Sequence, residues 1–248
     1  IAIVLLITVP AEAGLPRSQL AAVAAEPPAD ARLDLSISAP DTDGRLRTIG
    51  GILAGRPGFL IFADYTCNTL CGTALELLAG SLAEAGIEPA SYRIIVIGLD
   101  PKDSAQAADA MAERAIPAAL RSAVVLLLPA QPTIDRATQA LGFHYFYDSQ
   151  NDQFAHPATV YLLAPNGAVR TMLSPFALTA VDIKQTLAAG MPAPSLYERV
   201  RLLCYGYDAT SGVYTAGIGR LLRIFGAVAV GHLGSFVLRL VRIRNRVR

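Results

Sequence analysis

Two of the chain's three cysteines, Cys67 and Cys71, stand together in FADYTCNTLCGTALELL, with a strand-like apolar run before them and a helix-like run after. At positions i and i+4 of a helix, side chains share a face, so both sulfurs can reach one metal ion or, as easily, each other. The spacing leaves both chemistries open. Copper favours soft thiolate, with imidazole as a common second ligand type, so the three histidines matter. His156, in FAHPATVYLL, lies just before an apolar run, at a loop-to-strand boundary that an α/β layout can place beside the strand preceding the cysteines. His144, flanked by aromatics in GFHYFYD, reads as a structural or surface imidazole, and His232 falls within a long apolar C-terminal run. Cys204, in LLCYGYD, reads as a small apolar filler. A transfer relay or an intermolecular disulfide is its alternative role.

The elements that must position these residues alternate in type. Asp41 to Gly44 marks the turn of a polar hairpin, and Gly58 to Ala63 (GFLIFA) is a buried strand leading into the cysteines and a helix over Thr73 to Ala85. A second strand is expected over Tyr92 to Leu99, a helix over Ala105 to Arg114, a third strand over Ala123 to Leu128 and a helix over Thr133 to Leu141. Thr159 to Leu163 is a fourth strand, turning at Asn166-Gly167 into Ala168 to Leu173, and a helix over Thr179 to Ala189 ends at the break GMPAPS. Strands alternating with short helices imply an α/β sheet. No internal repeat is visible.

The ends differ from this domain, and they raise the apolar content to 53% and the mean hydropathy to +0.42. IAIVLLITV followed by Ala11-Glu12-Ala13 has the form of an export signal with a small-x-small cleavage site, the remnant (1–13) of a longer precursor. Residues 14–32 are Ala/Pro-rich and poor in bulky apolar side chains, so they read as a tether or loosely packed arm, with the folded domain spanning 33–190. After a connector (191–217), residues 218–248 contain LLRIFGAVAVGHLGSFVLRLV, from Leu221 to Val241, long enough to cross a bilayer. A surface-lying amphipathic helix is the alternative. Arg242, Arg244, Arg246 and Arg248 follow the run and no acidic residue occurs after Asp208, which directs the tail to the cytoplasm and the domain outward. The net charge of +1 conceals this split: seven of the 21 basic residues lie in 218–248, leaving 14 basic against 20 acidic. A basic nucleic-acid footprint is therefore absent from the main domain.

Several strings, in order, resemble the SCO/SenC copper chaperones of cytochrome c oxidase assembly: FADYTCNTLCG, IGLDPKDS, ALGFHYFYDSQNDQFAHPATVYLLAPNG and LLCYGYDATSGVYT. The resemblance runs from about Leu33 to the C-terminus. It implies a thioredoxin-like fold, here with a C-terminal transmembrane helix, that binds one copper ion, Cu(I) or Cu(II), through Cys67, Cys71 and His156. Asp64 and Asp100 recur in the family's strings and are candidates for shaping the loop around the metal, with helix-cap or turn residue as the plainer role. Two departures stand out. Asn68 and Gly72 replace the prolines that many members carry beside each cysteine, and the anchor lies at the C-terminus where many members have an N-terminal span.

The expected function is a metallochaperone, anchored in a bacterial inner membrane with its main domain in the periplasm. It would deliver copper to the oxidase subunit that carries the dinuclear copper site. A thiol-disulfide oxidoreductase using Cys67 and Cys71 as a dithiol is the competing reading, open to the same fold and setting. His156 separates the two, because a dithiol reductase needs no third ligand.

Overall fold

The computed structural model describes residues 15, 17–67, 71–189, 207–208 and 213–214. Its main unit is built on a five-stranded sheet of order β11-β10-β4-β5-β6. The central strands are the apolar runs foreseen from sequence: β4 (Gly58–Ala63), β5 (Arg93–Gly98) and β6 (Val124–Leu127) are parallel, while β10 (Val160–Leu163) lies antiparallel between β4 and β11 (Val169–Leu173). Parallel strands covered on both faces need apolar side chains pointing both ways, and β4 is buried along its whole length.

Alternation along the strands sorts the core into two layers. Phe59, Ile61, Ile94, Val96 and Leu162 point to a layer filled by Leu75, Leu78 and Leu82 of α3 (Cys71–Ala85), Met111 of α4 (Ala105–Ala115) and Ile183 of α6 (Ala180–Ala189). Leu60, Phe62, Ile95, Ile97 and Tyr161 point to the opposite layer, filled by Ile49, Ile52 and Leu53 of α2 (Ile49–Leu53) and Ile134 of α5 (Gln131–Ala140). Each such fully buried side chain contributes about 1.5–3 kcal/mol relative to exposure. Helix α3 carries no acidic residue in its first turn and stops where Gly86 takes φ +63°, a left-handed C-terminal stop.

The hairpin expected at Asp41 to Gly44 joins β2 (Ser38–Pro40) to β3 (Leu46–Thr48). Asp41 Oδ1 accepts from the backbone N–H groups of Asp43 and Arg45, at 3.1 and 2.9 Å, and Gly44 takes φ +76°. After the short helix α1 (Arg17–Leu20) comes a departure from the sequence reading. The Ala/Pro-rich stretch is no loose arm where it is described: β1 (Ala24–Ala25) pairs antiparallel with β7 (Phe143–His144), and Ala25 is fully buried. Small side chains carry little hydropathic signal, yet their size lets the backbone approach closely. A Cβ on Gly142, whose φ is +57°, would stand 2.1 Å from the Glu26 carbonyl.

A second small hairpin, also not foreseen, pairs β8 (Phe146–Asp148) with β9 (Gln153–Ala155). In the second unit, β12 (Tyr207–Asp208) pairs with β13 (Val213–Tyr214). Among the described residues no helix is long and apolar enough to cross a membrane. The expected export signal, the span from Leu221 to Val241, His232 and Cys204 lie outside the described residues.

Candidate metal centre

Cys67 lies in the turn after β4, at the carboxyl end of the parallel strands, where α/β sheets present their sites. Its backbone N–H donates to the Asp64 carbonyl at 3.2 Å, so it closes a turn instead of sharing a helical face with Cys71. Helix α3 begins only at Cys71. Cys67 thus closes the turn and Cys71 opens the helix, two residues before the start expected at Thr73. Asp64 Oδ1 accepts from the Thr66 N–H (2.9 Å) and hydroxyl (2.8 Å), a turn built on a side-chain carboxylate.

Tyr65 fixes this turn to the sheet. Its ring is buried, and its hydroxyl lies 3.0 Å from the Val96 carbonyl and 2.9 Å from that of Leu127, one proton between two acceptors on neighbouring strands. Burial holds the phenol well above its ordinary pKa, reinforced by the Asp103 carboxylate, so it remains a donor. Gly98 makes room: a Cβ there would meet Tyr65 Cε2 at 2.9 Å. The Tyr65 N–H donates to Asp103 Oδ2 at 3.0 Å. Burial lifts the Asp103 carboxyl to about 6, with the Tyr65 N–H opposing and Asp64 and Asp100 adding to the rise. Asp64 Oδ2 and Asp103 Oδ1 are both buried without a hydrogen-bond partner among the described residues. Asp100 acts as a turn residue, accepting from the Lys102 N–H at 2.8 Å.

His156 arrives from the other side of the sheet's end, between β9 and β10, and is half-buried. Its ring lies 6.0 Å from that of Phe143, and its Nδ1 is 3.1 Å from the Pro157 carbonyl. A carbonyl can only accept, so this contact assigns the proton to Nδ1 and leaves the lone pair on Nε2. Burial pushes the imidazole pKa below its usual value, partly offset by the Pro157 carbonyl and by the charges of Cys67 and Asp64. That mutual electrostatic influence puts Cys67 and His156 in one neighbourhood although they are far apart in sequence. Thiol sulfur and an imidazole whose lone pair lies on Nε2 are donor types suited to a soft or borderline metal ion.

The hairpin that carries His156 is latched to the loop after β5. Lys102 Nζ lies 3.7 Å from Asp100 Oδ2 and 3.6 Å from Asp152 Oδ1, and 5.5 Å from the centre of the Tyr147 ring. His144 is exposed on β7, as a surface imidazole should be. Tyr65 and Asp103 were missed as positioning residues. Asp103 stands in the GLDPKDS string already singled out, but nothing local announces which backbone N–H it serves.

The SCO1/SenC family profile matches residues 28–190. Among solved structures, the chain is similar to a SCO1/SenC family lipoprotein from Bacillus anthracis str. Ames (20% identity, TM-score 0.57, covering 66% of this chain and 96% of that one). It is similar also to BsSco, a member of the Sco family of cytochrome c oxidase assembly proteins described with a disulfide switch (18%, 0.55, 66% and 96%). Bradyrhizobium japonicum ScoI with copper bound is a third (18%, 0.53, 62% and 97%). No curated protein matched the sequence. The mixed α/β, thioredoxin-like fold expected from the sequence is the one observed. With its profile match covering well over half of its length, the chain belongs to the SCO1/SenC family.

Proposed function

We propose that this protein is a copper metallochaperone that holds one copper ion through Cys67, Cys71 and His156 and passes it to the cytochrome c oxidase subunit carrying the dinuclear copper site. The observation that carries this reading is an imidazole within electrostatic reach of Cys67, its Nδ1 proton on the Pro157 carbonyl and its lone pair therefore on Nε2. Copper-bound and oxidase-assembly relatives support it. Copper is cargo here, and a three-ligand site suits cargo: an incoming thiolate can bind before an old ligand leaves. The amino end of α3, without acidic side chains in its first turn, favours the thiolate form of nearby cysteine. We place the domain in the periplasm, tethered to the inner membrane by residues 218–248 with the Arg-rich tail in the cytoplasm, on the charge pattern of the sequence.

Anaerobic Cu(I) titration of the reduced protein tests this. One equivalent binds, and His156→Ala weakens the affinity at least tenfold, about what disturbing a metal's ligand shell costs, while the Cys67–Cys71 disulfide still forms on oxidation. Unchanged affinity in that variant would remove His156 from the site. The dithiol reductase reading keeps one observation in its favour: both cysteines flank the amino end of α3, where a thiolate is activated. Catalytic turnover of a disulfide substrate by copper-free protein would put it first.

A further inference from the structure

Asp64 is only 1% exposed, and among the described residues it forms an ion pair with no cation. Its Oδ1 is used by the Thr66 N–H and hydroxyl, while Oδ2 is buried with no hydrogen-bond partner among the described residues. Of the two neighbouring carboxyls, Asp103 is the one lifted to about 6, in part by the charge of Asp64, and it accepts one hydrogen bond where Asp64 accepts two. A proton held by the pair therefore sits on Asp103, and Asp64 carries the charge. Buried charges are ordinarily paired or turned to a metal. The turn alone does not require one, because serine or asparagine accepts the same backbone N–H without charge. The charge does have a target in the fold. It acts on His156 and favours positive charge on the imidazole, as Cys67 does. A field that favours a proton at His156 favours any cation held there, in proportion to that cation's charge.

We infer that Asp64 sets the charge selectivity of the metal centre: its buried carboxylate favours a divalent over a monovalent ion at Cys67 and His156, acting through space and not as a ligand. A nearby opposite charge shifts a protonation equilibrium by about tenfold or more, and a divalent ion carries one more such charge than a monovalent ion. For copper, the consequence is a firmer hold on Cu(II) than on Cu(I), and about tenfold in that ratio lowers the potential of the bound couple by ~59 mV. The inference rests on the metal-binding reading above, and the experiment separates the two.

The test uses the full chain, reduced, oxygen-free and in detergent solution, in a Cys204→Ser background so that the remaining thiols are those of the proposed site. Ag(I) and Cd(II) are the probes, since both are soft and neither oxidises cysteine. Affinities are measured by chelator competition for Asp64 as it stands and for Asp64→Asn, Asp64→Ser and Asp64→Glu. The ratio of Cd(II) to Ag(I) affinity should fall about tenfold in the two neutral variants, and Asp64→Glu should restore it. Tyr65→Phe, which loosens the same turn without removing charge, should weaken both ions alike and leave the ratio unchanged. The thiolate absorption band of the Cd(II) complex should keep its position in Asp64→Asn. A ratio unchanged in the neutral variants overturns the inference, as does an equal fall in Tyr65→Phe. So does a shifted band in Asp64→Asn, the mark of a lost ligand, or loss of the fold in both neutral variants, which would make the carboxylate structural. Failure of the parent protein to bind either ion removes the metal centre and this inference with it, whereas binding with an unchanged ratio removes the inference alone.

Discussion

The two sides of the proposed copper centre are held by different physics. Cys67 sits on a turn bound from beneath by buried groups: the Tyr65 hydroxyl shared between the Val96 and Leu127 carbonyls, the Tyr65 N–H on Asp103, and the Asp64 turn. His156 hangs from a hairpin whose attachments are largely exposed, with Lys102 bridging Asp100 and Asp152 in water and Phe143 as the apolar backing. Buried hydrogen bonds are costly to break because their partners are left unsatisfied, whereas exposed ion pairs contribute about 0–1 kcal/mol. The thiolate side is therefore the stiff half and the imidazole side the adjustable half, a division suited to the proposed role of holding and releasing a metal ion.

The largest expected effect breaks the stiff half. Tyr65→Ala empties a buried aromatic site and orphans two carbonyls, and thermal denaturation should report a loss of about 3–5 kcal/mol. Tyr65→Phe keeps the ring and should cost only about 1–3 kcal/mol, the part due to the carbonyls. Gly98→Ala attacks the same anchor from outside: the new Cβ at 2.9 Å from the ring should destabilise by about 1–3 kcal/mol. Combined with Tyr65→Ala, which removes the clashing ring, its effect should shrink, and additive losses in that double-mutant cycle would show that Gly98 serves something else.

A smaller effect is set by pH. Asp103, raised from 3.8 to about 6 in the folded state, holds a proton between those values that the unfolded chain has released. The native state is thus favoured at low pH, and this contribution fades as pH rises from about 4 through 6. Asp103→Asn keeps an acceptor for the Tyr65 N–H and should flatten that slope. Chemical denaturation of both proteins at pH 4.5 and 7 would show it, and parallel curves would mean that Asp103 does not titrate in this window. The smallest effect belongs to the adjustable half. Lys102→Ala should lower stability by less than about 1 kcal/mol, and the loss should vanish at high salt. A loss as large as that of Tyr65→Phe would erase the contrast between the two sides.

Much of the frame was legible without coordinates. GFLIFA and YRIIVIGL announce strands by their unbroken apolar runs, and the observed bounds of β4 and β5 fall on or within one residue of them. Asp41 to Gly44 announces its turn through a carboxylate that can accept backbone N–H groups and a glycine that can take positive φ. The β1 pairing escaped notice because alanines give no period, and the Asp64 turn before Cys67 was not foreseen because its hydrogen bonds are invisible in a pattern of residue types.

By itself the sequence determined the α/β alternation, the two-sided burial of the central strands and the identity of the groups that could bind a soft metal. Periodicity and residue chemistry are local properties, written wherever a chain must bury one face or donate a lone pair. Tertiary structure alone decided that His156 comes within electrostatic reach of Cys67, that Tyr65 and Asp103 brace the cysteine turn, and that Glu76 and Arg114 line one cavity. Those are relations between residues remote in the chain. They exist only once β10 has been laid antiparallel against β4 and the helices packed over the sheet, because no local rule specifies which distant backbone or side chain will end up within hydrogen-bond reach.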